Sequence, residues 1–332
     1  MKALRTNSGR LAVVVFLALL LVGAMLLSLR FGSLKLSFGE ILETLFQRRD
    51  GIDYQIVFNI RLPRVLLGAM VGASLAAAGT ILQGVMRNPL ASPGIIGVSA
   101  GGGLAGILVM LALPQFGAFL VPAAFCGSLG TAVLVYLLAW RRGVNPVRLI
   151  LAGVAVSSML GAFSSTILLL NAEQAGGVLD FTIGSLATRS WPQIRQAGPY
   201  MAAGLAAALF LSRRLNILAL GDEVAAGLGI RVERTRLLLL TSAALLAASA
   251  VSVAGLLGFV GLIAPHIVRI VIGTDNRFLV PGSALFGAAM VVGCDTAGRM
   301  VMEPSELPAG VIMSLLGPPF FLWLLRRHSY EA

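Results

Sequence analysis

Arg61-Leu-Pro-Arg64 opens an apolar, glycine-dotted run that reaches Gln83 and is followed at once by Arg87-Asn-Pro-Leu-Ala-Ser-Pro93. The run is long enough to cross about 30 Å of hydrocarbon as a helix. Two arginines stand at one end of it and a proline-bracketed polar turn at the other. A helix that only had to sit in lipid needs neither. The arginine end reads as a docking point for something outside the membrane, and the turn as a break in a helix that lines a path.

The rest of the chain has the same character. Of 332 residues, 58% are hydrophobic and only 12% charged, with a mean hydropathy of +0.92. Soluble domains carry about twice that charged share, so the chain reads as a polytopic membrane protein. The formal charge of +11 is spread between apolar spans and not gathered on a domain, which indicates membrane topology and no nucleic-acid partner. Cys126 and Cys294 both lie in apolar runs without ligand-like spacing and read as small buried hydrophobes, with no metal site implied. The apolar stretch after Lys2, Arg5 and Arg10 is longer than the core of a secretion signal, so it is kept as a first membrane helix.

Ten runs are candidate spans, at approximately 11–29, 62–85, 94–113, 118–140, 149–170, 197–212, 237–257, 258–272, 279–298 and 308–325. The eighth is short for a full crossing and is expected to be tilted, broken or partly re-entrant. With both termini inside, 16 of the 25 Lys and Arg fall on the cytoplasmic side, so positive charge supports that orientation. Residues 213–236 form the sizeable cytoplasmic feature, while 30–60 and 171–196 lie outside. Glycines four apart, at Gly68 and Gly72, Gly97 and Gly101, and Gly102 and Gly106, suit close helix packing in lipid. A weak echo between span two and spans seven to eight suggests two inverted halves of five spans.

Few residues carry chemistry. Lys2 and Lys35 are the only lysines and neither sits in a phosphate-binding Gly-Lys-Ser/Thr context, so ATP, if it drives transport, is hydrolysed on another chain. Asp295 is the one carboxylate clearly inside a span. It reads as an i, i+4 partner of Arg299, or as the carrier site of an ion- or proton-coupled secondary transporter. Gly221 and Asp222 suit a helix N-cap, Glu223 the positive end of its dipole, and Gly227 and Gly229 its termination. Such a short helix suits a knob for a groove on a cytoplasmic subunit, or an interfacial helix on headgroups. Arg61, Arg64 and Arg299, each at the outer end of a span, suit forked bonds to carboxylates of a docking protein, or snorkelling to lipid phosphates. His266, after Pro265, reads as structural.

At these residues the chain resembles the FecCD permease family, the membrane subunits of bacterial ABC importers for iron-siderophores, haem and vitamin B12. The resemblance rests on Arg61-Leu-Pro-Arg64, Gly79 through Gln83, Arg87-Asn-Pro-Leu-Ala-Ser-Pro93 with Gly97 and Gly101, Leu220 to Gly229, Gly258-Phe-Val-Gly-Leu-Ile-Ala-Pro-His266, and Glu306-Leu-Pro-Ala-Gly310 with Leu316-Gly317, in that order. It implies an all-α integral membrane protein of ten transmembrane helices with the type II importer fold of the vitamin B12 permease. It implies a multi-pass bacterial inner-membrane subunit with no cofactor and no ATPase site of its own. Its partners would be two ATP-binding subunits carrying ATP and Mg, a periplasmic or lipid-anchored substrate-binding protein, and a second permease copy or paralogue, with the path along the interface of the two permeases. By the same resemblance, Arg61, Arg64 and Arg299 meet the binding protein. Asp222, Glu223, Ala225, Ala226, Gly227, Leu228 and Gly229 couple to the ATPase. Asn145, Pro146, Val147 and Leu151 belong to the inner gate, where this chain lacks the small hydroxyl residues of the vitamin B12 permease. Ferric siderophore is the expected cargo.

Overall fold

A computed structural model describes residues 6–31, 39, 54–141, 143, 145–302 and 305–328. The chain is all-helical across these residues. Twelve α-helices follow one another: α1 (Asn7–Arg30), α2 (Leu62–Met86), α3 (Val98–Ile107), α4 (Leu120–Ala139), α5 (Pro146–Leu170), α6 (Leu179–Ile183), α7 (Trp191–Ala219), α8 (Asp222–Gly227), α9 (Val232–Ala254), α10 (Val260–Ile272), α11 (Asn276–Val301) and α12 (Ala309–His328). Seven helical stretches are long and apolar enough to cross a membrane, and three shorter apolar ones, Val98–Ala112, Val260–Ile272 and Ala309–Leu322, fall on the remaining expected spans. Most of the expected outer segment 30–60 lies outside the described residues.

The helices alternate in direction between two faces of the bundle, and polar ties at their ends show which ends share a face. On the face where α1 begins, Arg10 lies 3.3 Å from Asp275 at the start of α11, and Asn216 near the end of α7 donates to the same carboxylate. On the opposite face, Trp191 donates to the Phe58 carbonyl and Ser185 N–H to the Ala254 carbonyl.

The core is made by α2, α9 and α11, whose inner positions are small. Gly72 faces the Gly287 backbone so closely that an added methyl would fall on that carbonyl; outside this core, Gly102 of α3 leaves room for the Ser128 hydroxyl of α4. Helices in lipid gain no hydrophobic drive from meeting each other, so such close backbone approach supplies the dispersion that holds them. By contrast, only 11% of the best apolar window of α1 and of α5 is buried within the chain.

Several boundaries differ from the expected spans. α2 is continued upstream by a π-helical turn, Gln55–Arg61, so Arg61 and Arg64 lie inside a helical rod and not at its tip. α7 runs on to Ala219 and α9 starts at Val232, which shortens the expected 213–236 segment to a linker around α8. Arg213 and Arg214 keep helical geometry because charge at a span's end is solvated without breaking the helix. Residues 171–196 are also not an open loop. They hold a 3-10 turn and α6, and α6 is bound into the bundle through the Phe181 carbonyl, which accepts from Leu256 N–H. Cys294 is buried against Met313, as its apolar setting suggests, but Cys126 is exposed on α4. That α4 position opens on a cleft shared with Arg195 and Tyr200 of α7, which an apolar sequence context does not reveal.

Candidate functional site

Two interrupted segments meet inside the bundle. α2 ends at Arg87, which takes a left-handed conformation (φ 49°) in place of the usual glycine and turns the chain back. Asn88 then accepts from Leu90 N–H through its side chain, and the chain re-enters as the 3-10 turn Pro93–Ile96 before α3. The second interruption follows α9. Gly255 (φ 72°) and Phe259 (φ 64°) break the chain, and α10 then runs only 13 residues, about 20 Å. This is the broken eighth segment the sequence suggests. The two segments touch: methyl groups added at Gly79 and Gly261 would strike the Gly261 and Leu75 carbonyls respectively, and the latter would also press on Pro93. Gln83, one turn beyond Gly79, accepts from Arg269 at 2.6 Å. Non-helical backbone inside a membrane bundle persists only where protein or a cavity covers it, and here the bare glycine surfaces of α2 and α10 do so.

The Pro93–Ile96 turn also presses on α5, where a methyl at Gly153 would fall on the Ile95 carbonyl. α5 starts with Asn145, whose side chain accepts from Val147 N–H at 2.8 Å, and Pro146 fills the first helical position. Val147 and Leu151, one turn apart, are both exposed. The gate residues named above therefore open an uncovered helical face that is backed by the interrupted segment.

α8 is a helix of six residues. Gly221 caps it without any side-chain bond, so the cap expected of Asp222 is corrected. The Asp222 carboxylate instead accepts two 2.8 Å bonds from Arg236, while Arg87 lies 3.6 Å away. Arg236 is only 2% exposed at its side chain and also donates to Glu233 at 2.7 Å. Ala225 is buried, whereas Glu223, Ala226, Gly227, Leu228 and Gly229 face outward. Leu220 before the helix, Val224 on it and Leu228 at its end are exposed apolar side chains. The outcome is a small knob whose root is tied to the end of α2 and the start of α9. Arg87 and Arg236 carry those ties; in the sequence Arg87 stands out only as the start of the proline-bracketed turn and Arg236 is assigned no role, although the Glu233–Arg236 spacing was an available signal.

On the opposite face, the expectation that Arg61, Arg64 and Arg299 stand open at span ends is corrected: all three are buried. Arg64 grips Asp295 with two parallel bonds, Nε to Oδ2 and Nη2 to Oδ1, both 3.0 Å, and donates to Glu306 at 2.7 Å. Arg299 approaches the same carboxylate at 3.4 Å, the expected i, i+4 pair, and donates to the Phe31 carbonyl and the Ser28 hydroxyl. Arg61 donates to the Leu29 carbonyl at 2.7 Å. Forked guanidinium–carboxylate geometry suits a buried setting, and it cross-links α1, α2 and α11. Asp295, 3% exposed, is thus a structural acceptor. His266 packs edge-on against Phe320, ring centroids 6.2 Å apart.

Comparison with known proteins agrees with this architecture. The chain is 37% identical over 329 residues to the Fe(3+)-citrate import system permease protein YfmE of Bacillus subtilis, covering 98% of each. It is 40% identical over 323 residues to the hemin transport system permease protein HmuU of Yersinia pestis, covering 95% of this chain and 96% of that one. Among solved structures, an ABC transporter assigned to the metal-chelate type, in an inward-facing conformation, superposes with a TM-score of 0.84 at 31% identity, over 95% of this chain and 99% of the other. The sequence profile of the FecCD transport family matches residues 19–327, and the chain, whose quoted motifs and helical order agree with it, belongs to that family.

Proposed function

We propose that this chain is the membrane permease of an ATP-driven importer whose cargo is a ferric siderophore, with haem and cobalamin as the neighbouring choices. The observation that carries this reading is the knob at α8. It offers exposed apolar side chains at Leu220, Val224 and Leu228, and its root at Asp222 is tied to α2 and α9, the helices next to both interrupted segments. A push on the knob by an ATPase subunit is thereby passed to the break that begins at Arg87 and, along α2, to the Gly79 contact with α10. The chemistry done by this chain is gating between states. ATP and Mg belong to the two partner ATPases, and this chain binds no cofactor.

In the finer topology, ten segments cross the bacterial inner membrane, both termini are cytoplasmic, and α8 faces the cytoplasm. The uncovered face of α5, with Val147 and Leu151, meets a second permease copy or paralogue, and the path runs between them. A periplasmic or lipid-anchored binding protein docks on the opposite face. For Arg61, Arg64 and Arg299 to hold it there, its carboxylates must take over from Asp295 and Glu306, of which Glu306 is the one open to solvent.

An ion-coupled carrier centred on Asp295 loses its support, because both carboxylate oxygens are engaged by arginine and the relatives are ABC permeases. The test is co-purification from native membranes in mild detergent, followed by uptake in cells lacking the recovered ATPase. An equimolar ATPase chain and abolished ferric-siderophore uptake are expected; recovery of the chain alone, with uptake intact, would refute the reading.

A further inference from the structure

A cavity of about 350 Å³ on the α8 side is lined by Arg214, Gly229, Ile230, Arg231, Arg234 and Thr235. Among the described residues, the side chains of Arg214, Arg231 and Arg234 make no ion pair and no hydrogen bond, while the neighbouring Asp222 and Glu233 are engaged by Arg236. Three exposed guanidinium groups around one cavity, none held by a carboxylate, suit an anion.

Its depth identifies the source of that anion. One turn along α7 from Arg214 stands Phe210, 77% exposed, and one turn along α9 from Arg234 stands Leu238, also exposed. Along both helices the exposed surface therefore changes from cationic at the cavity to apolar beyond it within a single turn, about 5 Å. A bilayer makes the same change from phosphodiester to acyl chain. Basic pockets between membrane helices on the cytoplasmic side suit anionic headgroups.

We propose that the cleft between the ends of α7 and α9 binds the headgroup of an anionic phospholipid of the inner leaflet, with Arg214, Arg231 and Arg234 on its phosphate and the Phe210 and Leu238 surfaces along its acyl chains. The proposal rests on the cytoplasmic placement of α8 given above. Because Gly229 and Ile230 follow the knob directly, the lipid would steady the knob's trailing end.

Native mass spectrometry of the full chain with its ATPase, titrated with phosphatidylglycerol, tests this. The intact chain is expected to retain one phosphatidylglycerol in preference to phosphatidylcholine. The triple variant Arg214→Gln, Arg231→Gln, Arg234→Gln should bind it on the order of 100-fold more weakly, about fivefold for each charge, and Arg213→Gln should stay within about twofold. All four positions are exposed, so an unchanged melting temperature is expected and is measured alongside. Equal retention by the triple variant overturns the proposal. So does displacement of the lipid by millimolar inorganic phosphate, which would make the site one for a free anion, and so does loss of the ATPase with lipid retention intact, which would give the arginines to a protein interface. Impermeant maleimide labelling of Arg234→Cys in a Cys126→Ser background checks the orientation separately. Labelling in intact cells would refute the cytoplasmic placement, whatever the lipid result.

Discussion

Asp295 shows how far a single residue is legible. Its i, i+4 neighbour Arg299 is visible in the sequence, but its stronger partner Arg64 lies 231 positions away and only the packing of α2 on α11 brings them together. For the same reason the three arginines read as open span ends: sequence gives their depth along a helix, not the acceptors that tertiary structure supplies. Burying a carboxylate between guanidinium groups makes its removal costly, because the cations stay behind. Asp295→Asn is expected to destabilise the chain by about 3–5 kcal/mol, read as a lower melting temperature in detergent, while transport per folded molecule persists. Replacing both partners, Arg64→Met with Asp295→Leu, should recover most of the loss; a double variant no better than the single one would mean that the pair's charge was not the issue. Asp275 is a different case, in the turn before α11 and outside the spans. Hydrogen bonds from the Arg277 side chain, opposed by burial and supported by Asn216, hold its carboxyl at about 2, below the ordinary 3.8. A folded value below the unfolded one stabilises above the ordinary value, and that stabilisation is lost as pH falls through about 2. The melting-temperature gap between the intact chain and Asp275→Asn should thus be constant above pH 5 and close between about pH 4 and pH 2. A gap that persists at pH 2 would contradict this.

At the scale of elements, sequence located nearly every apolar helix, because a hydrophobic run that must satisfy its backbone in lipid has little choice but to be helical. It also flagged the first break at the proline-bracketed turn Arg87–Pro93 and marked 258–272 as short for a full crossing, to be tilted, broken or partly re-entrant. It did not reveal that α2 and α10 touch, which depends on Gly79 being bare. Gly79→Ala should place a methyl on the Gly261 carbonyl and sharply lower folded yield, whereas Gly161→Ala, with nothing within 4 Å, should be neutral; similar yields from both would dismiss the contact as a determinant of folding. The knob was legible as a short helix with a glycine exit, but its anchoring by Arg87 and Arg236 was not. Val224→Asp, on the knob's exposed apolar surface, is expected to lower ATPase co-purification at least tenfold without moving the melting temperature. Asp222→Ala is expected to leave the ATPase bound but its hydrolysis no longer linked to uptake. Coupled uptake in that variant would show that the ties to α2 and α9 transmit nothing.

For the whole molecule, which helices lack partners within the chain was not legible in the sequence, since lipid, a second copy and the core all accept apolar surface. The structure leaves both α1 and α5 largely uncovered. Leu151→Cys in a Cys126→Ser background is expected to cross-link two permease chains in native membranes; a cross-link formed only by an α1 cysteine such as Leu19→Cys would move the dimer contact to the other face. The ties of α1 carry a consequence for biogenesis. Arg10 reaches Asp275, 265 residues later, and Arg299 returns to Ser28 from 271 residues downstream. At about 5–20 residues per second of synthesis, the first helix leaves the ribosome roughly 13 to 50 seconds before the last of these partners is made. Until then it is held mainly by its contact with the start of α2, where Arg61 donates to the Leu29 carbonyl, and an 18-residue stretch of mean hydropathy 2.9 suits it to wait in the bilayer.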